Sequence, residues 1–377
     1  RETGFEITAA SEIMAVLSLS TDISDLRRRL GQLVVGVTRD GEPITAEAIG
    51  AAGAMTLLLK EALMPNLVQT LEGTPLLVHT GPFGNTATGC NSILADRIAL
   101  YTSDYAITEA GFGSDLGFEK FCHIVSPVLG KSPDAAVLVA TVRGLKVHSG
   151  KFKVVSGKPL PAELEHEDLD ALEKGAENLQ AHIRIVHRLG VPVVVAINRF
   201  PSDTDAEIEL LRRLAISAGA EGAAISECFA RGAEGSIGLA EAVREICQES
   251  NSRFRLLYSS DASLQQKIET IATQVYGADE VRYEPGVRSQ LKQFEKWGFR
   301  HLPICFAKTQ FSLSHDPGLK GVPSGFAVPV SEVQLAAGAG FVRVLCGDIM
   351  TMPGLPAEPA AKRMDVDSTG QVMGVSW

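Results

Sequence analysis

The chain has 377 residues, 35 Lys+Arg against 45 Asp+Glu for a formal charge of −10, 45% hydrophobic and 21% charged residues. At about 150 residues per domain, that length predicts two or three domains and a core that needs no disulfide or structural metal. The composition excludes disordered and fibrous classes, and an acidic balance without Lys/Arg blocks argues against a nucleic-acid binder or a membrane-surface protein.

The first residue is Arg1 rather than Met, which reads as a cut in a longer chain. Six cysteines (Cys90, Cys122, Cys228, Cys247, Cys305, Cys346) lie singly with no C-x-x-C, so reduced thiols and no zinc site are expected. No apolar run approaches the ~18 residues of a transmembrane helix. A soluble, reducing compartment is expected, most simply the cytoplasm. An organelle stays open, because a transit peptide would precede Arg1.

Short, continuously apolar runs recur at residues 75–80 (PLLVHT), 104–108 (DYAIT), 135–141 (AAVLVAT), 191–198 (VPVVVAIN) and, more weakly, 222–226 (GAAIS). Such runs suit parallel strands covered on both faces. Helical patterns at 90–100, 165–189 and 204–218 alternate with them, which predicts a doubly wound α/β sheet. Residues 149–161 read as an exposed loop. Residues 262–298 read as helices, with 268–275 clearly periodic, and strands are expected at 302–308, 326–330 and 341–345. A boundary is placed near 250–260.

In an open α/β sheet, ligands bind at the carboxyl ends of strands. The segments after the five runs carry glycines that either shape βα turns or expose backbone N–H groups to phosphate. Glu109 and Asp115 either hold Mg²⁺ through water or cap the next helix. Arg143, Lys146 and His148, three charged or titratable groups after one strand, form an anion pocket or a solvated loop. Asn198 and Asp203 resemble the amide and carboxylate that nucleotide-binding proteins place near a base. Phe112, Phe200 and Phe229 each stand in a loop after a strand, where an aromatic stacks on a flat heterocycle or packs its own loop. No H-E-x-x-H, G-x-S-x-G or G-x-x-x-x-G-K-[S/T] is present.

Several stretches together resemble the formate–tetrahydrofolate ligase family. They are residues 3–16 (TGFEITAASEIMAV), 65–92 (PNLVQTLEGTPLLVHTGPFGNTATGCNS), 108–121 (TEAGFGSDLGFEKF), 140–148 (ATVRGLKVH), 191–207 (VPVVVAINRFPSDTDAE), 307–314 (AKTQFSLS) and 349–356 (IMTMPGLP). The segments 151–161 and 315–326 look more like the eukaryotic-type enzyme. The resemblance implies an ATP-dependent ligase that makes 10-formyltetrahydrofolate from formate and tetrahydrofolate through formyl phosphate. It implies ATP with Mg²⁺, leaves room for a monovalent cation, and implies a homo-oligomer with no nucleic-acid or membrane partner.

By matching motif, Phe200 and Phe229 look like the pair that sandwiches the pterin, with Phe112 lining the same pocket. The family commonly has Trp where Phe229 stands, so an indole N–H donor is missing. Glu109, Gly111, Gly113, Asn198 and Ser226 look like nucleotide- or phosphate-side residues, and Lys308 is left without a role. The family's phosphate loop, catalytic lysine and formyl phosphate arginine lie upstream of the match that here begins at Thr3. The implied fold is a P-loop NTPase-type sheet, incomplete at the N-terminus. Residues 1–150 would be the remainder of the nucleotide-binding domain, 151–255 a second α/β portion with the folate and adenine loops, and 256–377 an α+β domain. The expected product is a fragment inactive alone; the alternatives are a folate- or nucleotide-binding short form and a dimer-completing subunit.

Overall fold

The computed structural model describes residues 7–154, 159–249, 252–347, 349 and 358–374. Parts of the segments singled out in sequence therefore lie outside the described residues: 3–6, 155–158, 250–251 and 350–356.

The first portion is mainly helical. Ser11 and Asp22 accept backbone N–H groups and so start α1 (Glu12–Leu19) and α2 (Ile23–Gln32). A short antiparallel pair, β1 (Val34–Val37) and β2 (Pro43–Thr45), leads to α3 (Ala52–Leu59). The hairpin β3 (Asn66–Gln69) and β4 (Pro75–Val78) precedes α4 (Ile93–Thr102), two π-helical turns at Ser114–Phe118 and Phe121–Val125, and α5 (Ser126–Leu129). Its core joins Val16, Leu26, Leu30, Ile93 and Phe121 to Cys305 and Phe341 from far along the chain.

Two expected parallel strands are corrected here. Residues 75–78 pair antiparallel with β3 in a hairpin whose residues are mostly exposed, outside the parallel sheet. An apolar run alone does not separate a buried strand from a hairpin strand. Residues 104–108 form no strand and are exposed. The chain's only order there is a bridge between Cys90 and Ala110, among the described residues.

The parallel sheet comprises β5 (Ala136–Ala140), β6 (Val193–Asn198) and β7 (Gly222–Ser226), with β6 central. Right after β5 comes α6 (Val142–His148), and α7 (Leu169–Arg188) returns the chain to β6. β6 is followed by α8 (Asp205–Ser217), and β7 by α9 (Cys228–Arg231) and α10 (Ile237–Glu249). Val193–Ile197 are all buried, as a strand paired on both edges and covered on both faces must be. Thr204 and Glu207 form a reciprocal cap that fixes where α8 begins.

The last portion has α11 (Leu264–Gln274), β8 (Glu280–Tyr283), α12 (Val287–Lys296), β9 (Ile304–Ala307), β10 (Ala327–Ala336) and β11 (Phe341–Cys346). A small pair, β12 (Asp365–Val366) and β13 (Val372–Met373), follows. The mixed sheet runs β8-β10-β11-β9, with only β10 and β11 antiparallel. The strand β8 falls inside a region expected to be helical; four residues with alternate burial give too short a signal. The whole is a mixed α/β architecture with parallel strands. No described helix is long and apolar enough to cross a membrane.

α6 and α7 touch at Gly175. A Cβ there would lie 1.8 Å from the Leu145 carbonyl oxygen, which is backbone and does not yield cheaply. Gly175→Ala should destabilise the chain by about 2–3 kcal/mol, despite alanine's better helix propensity, as read from urea unfolding midpoints.

Candidate functional site

The carboxyl ends of β6 and β7 lie side by side. Asn198 is in register with Ser226, and the Arg199 N–H donates to the Ser226 carbonyl at 3.1 Å. Beyond Asn198 the chain turns sharply. The Phe200 N–H donates to Asp203 Oδ2 at 2.8 Å, and the Asp203 N–H returns a bond to the Phe200 carbonyl at 3.0 Å. Burial pushes the Asp203 carboxyl up. The Arg143 guanidinium lies 3.6 Å from the centre of the Phe200 ring. It takes one face, so a flat ligand can stack only on the other.

Phe229 follows β7 on α9 and is fully exposed. Its turn is held by Glu227, whose N–H donates to the Gly235 carbonyl at 2.9 Å and whose carboxylate meets Arg231 at 3.2 Å. The β3–β4 hairpin reaches this turn too. Glu72 Oε1 accepts the Ala233 N–H at 3.1 Å.

Phe112 stands on a different support. Its φ is +65°, a left-handed conformation that is unusual for a bulky side chain. Close backbone packing beneath it explains the surrounding glycines. A Cβ on Gly84 would come within 2.9 Å of the Phe112 ring, and one on Gly89 within 2.5 Å of Gly84 Cα. The Gly111 N–H donates to the Gly89 carbonyl at 2.9 Å, and buried Lys120 donates to the Gly84 carbonyl at 2.7 Å. Ser114 Oγ lies 2.8 Å from His182 Nδ1 on α7. No ring–ring contact joins Phe112, Phe200 and Phe229 among the described residues.

A family model described as formate–tetrahydrofolate ligase matches residues 1–376. The chain belongs to the formate–tetrahydrofolate ligase family. It is 56% identical over 376 residues to a formate–tetrahydrofolate ligase of Roseiflexus sp. (strain RS-1) and 54% identical to one of Saccharopolyspora erythraea. In both cases all of this chain is covered, and it spans 66% of the relative's length. It is also 48% identical over 388 residues to the C-1-tetrahydrofolate synthase, cytoplasmic, of Schizosaccharomyces pombe, covering 41% of that protein.

Other residues singled out in this family member are dispersed. Arg143, Lys146 and His148 sit on α6, and each has a separate partner. Arg143 goes to Phe200, whereas Lys146 is buried in an ion pair with Glu207 and donates to the Leu164 and His166 carbonyls at 3.2 and 2.8 Å. His148 Nδ1 accepts the Gly321 N–H at 3.3 Å. Glu109 is exposed, next to Gly111 and Gly113. Asp115 is buried, and its Oδ2 meets Lys308 Nζ at 2.7 Å. Burial pushes the Asp115 carboxyl up, but Lys308 and His182 outweigh it and hold it below the usual range. Glu109 and Asp115 therefore do not fit a Mg²⁺ site, and no group of three metal-ligating side chains exists among the described residues. Sequence reasoning missed the Glu72 contact, the Arg143 stack and the partner of Lys308. None had a local signal that names the partner; Lys308 only stands out as a lysine directly after a wholly apolar strand.

Burial, with help from Lys320, lowers His148 to about 4. The fold holds its neutral form, so its contribution is complete above pH ~6.5 and is lost as pH falls toward 4. His148→Asn keeps an acceptor for Gly321 and should remove up to about 3 kcal/mol of the acid-side slope in a stability-versus-pH series.

Proposed function

We propose that this chain is the folate-side portion of a formate–tetrahydrofolate ligase. In that reaction a formate oxygen attacks the γ-phosphorus of ATP and ADP leaves. The N10 nitrogen of tetrahydrofolate then attacks the carbon of formyl phosphate, and phosphate leaves as N10 gives up its proton. The family match over residues 1–376 is the single observation that carries the reading. The placement of two aromatics at adjacent strand ends supports it.

In this reading Phe200 takes one face of the pterin and Phe229 the other, with Phe112 lining the pocket. Arg143 backs Phe200 and keeps it from swinging away. Asn198 and Ser226, in register at the sheet edge, face the nucleotide side, with Glu109, Gly111 and Gly113 near the phosphates. The parallel sheet is part of a larger doubly wound sheet of P-loop NTPase type, and the divisions at 1–150, 151–255 and 256–377 follow the same reading. The protein's work is positioning and charge neutralisation, as in other phosphoryl transfers. ATP brings Mg²⁺; no residue of this chain is assigned to it or to a monovalent cation. A cytoplasmic homo-oligomer, with no nucleic-acid or membrane partner, completes the proposal.

Phe200→Ala should weaken tetrahydrofolate binding by ~1–3 kcal/mol, the worth of one stacking face. Unchanged affinity in a titration removes Phe200 from the pocket. The 377 residues contain no G-x-x-x-x-G-K-[S/T] loop, so the chain alone should form no 10-formyltetrahydrofolate from ATP, formate and tetrahydrofolate. Product in that assay overturns the assignment of phosphate gripping to residues outside this sequence.

A further inference from the structure

We infer that Lys308 is a positioning residue for folate binding, acting through Asp115 on the loop that presents Phe112. The inference rests on the folate reading of Phe112. Lys308 directly follows β9 of the mixed sheet and is fully buried, so it reaches no ligand itself. All three of its donors are used: Asp115 Oδ2 at 2.7 Å, the Thr309 carbonyl at 3.0 Å and the Ser312 carbonyl at 2.6 Å. The Tyr276 ring lies 4.9 Å from the ammonium.

Asp115 is three residues after Phe112, in the first of the two π-helical turns. Between them Gly113 leaves no slack. A Cβ there would lie 2.6 Å from Asp115 Oδ1 and 2.9 Å from His182 Cε1. The left-handed backbone at Phe112 persists only where the surroundings over-determine it. From below, Gly84, Gly89 and Lys120 fix the loop, and from behind, the Lys308–Asp115 pair does. The pair thus carries the position of the C-terminal sheet to an aromatic on the opposite side of the chain's order. It also gives the 307–314 segment, which the ligase reading left without a role, something to do.

The test compares Lys308→Met, Lys308→Met with Asp115→Leu, and the same changes in a Phe112→Ala background. Three quantities are read: the urea midpoint, hydrogen exchange at the amides of residues 111–117, and tetrahydrofolate affinity by titration. Lys308→Met alone should lose stability, because Asp115 is left buried without its ammonium partner, and the double variant should regain part of it, because the lone buried charge is gone while the Thr309 and Ser312 carbonyls still lack their donor. In the double variant, exchange at 111–117 should stay about tenfold faster and folate binding about tenfold weaker, the size of one lost stacking contact. In the Phe112→Ala background, the pair replacement should add no further loss of affinity. If affinity and exchange recover together with the midpoint, Lys308 only holds the fold and the inference falls. Unchanged exchange at 111–117 overturns it whatever happens to folate. Faster exchange, with affinity indifferent to both Phe112→Ala and the pair replacement, upholds the tie and overturns the folate reading of Phe112. Should the double variant fail to fold, Asp115→Asn keeps an acceptor and should show the same two changes at smaller size; their absence counts against the inference.

Discussion

An ammonium group shut away from water must be bonded on every side, and among the described residues four lysines are completely buried: Lys120, Lys146, Lys267 and Lys308. Each meets the demand by donating to backbone carbonyls of irregular segments. Lys120 holds Gly84 and Asn85, Lys146 holds Leu164 and His166, Lys267 holds Arg300 and Leu302, and Lys308 holds Thr309 and Ser312. A loop carbonyl buried without a partner is as costly as an unbonded amine, so each lysine answers two needs at once. The regular elements supply the rigid base for the stem, and the loop wraps the head. Lys120 and Lys308 act on neighbouring parts of the same construction, one beneath Phe112 and one behind it.

The aromatic positions depend on two different devices. Phe200 and Phe229 inherit their spacing from strand register, because β6 and β7 are hydrogen-bonded neighbours whose ends coincide. Phe112 inherits nothing from a sheet. It depends on glycines packed backbone to backbone and on the buried charges around Asp115. The first device tolerates surface change around it; the second tolerates little, because a Cβ at Gly84, Gly89 or Gly113 would come within 2.9, 2.5 or 2.6 Å of a neighbouring atom.

What the sequence made legible divides along the same line. β5, β6 and β7 could be read because parallel strands buried on both faces leave unbroken apolar runs, and the positions of Phe200 and Phe229 just past two strand ends follow from where those runs stop. The run at 75–78 has the same composition but pairs with its own neighbour, and composition does not name a partner. Arg143, Lys146 and His148 looked like a cluster because they are close in sequence. On α6 they find separate partners, one at an aromatic face and one in a buried ion pair, and closeness in sequence names neither. The Lys308–Asp115 pair was illegible for the opposite reason, since its members are far apart in the chain and nothing local in either segment identifies the other.

Buried amines also make the chain report on itself. Acylating reagents attack free ammonium groups in water, so the four enclosed lysines should remain unmodified while surface lysines react, until the particular loop that covers each one opens. Lys308 and Lys120 would then register opening around Phe112, Lys146 the segment before α7, and Lys267 the turn before β9. A single mass-spectrometric time course would rank four regions of one fold by how readily each comes apart, using residues already present in it.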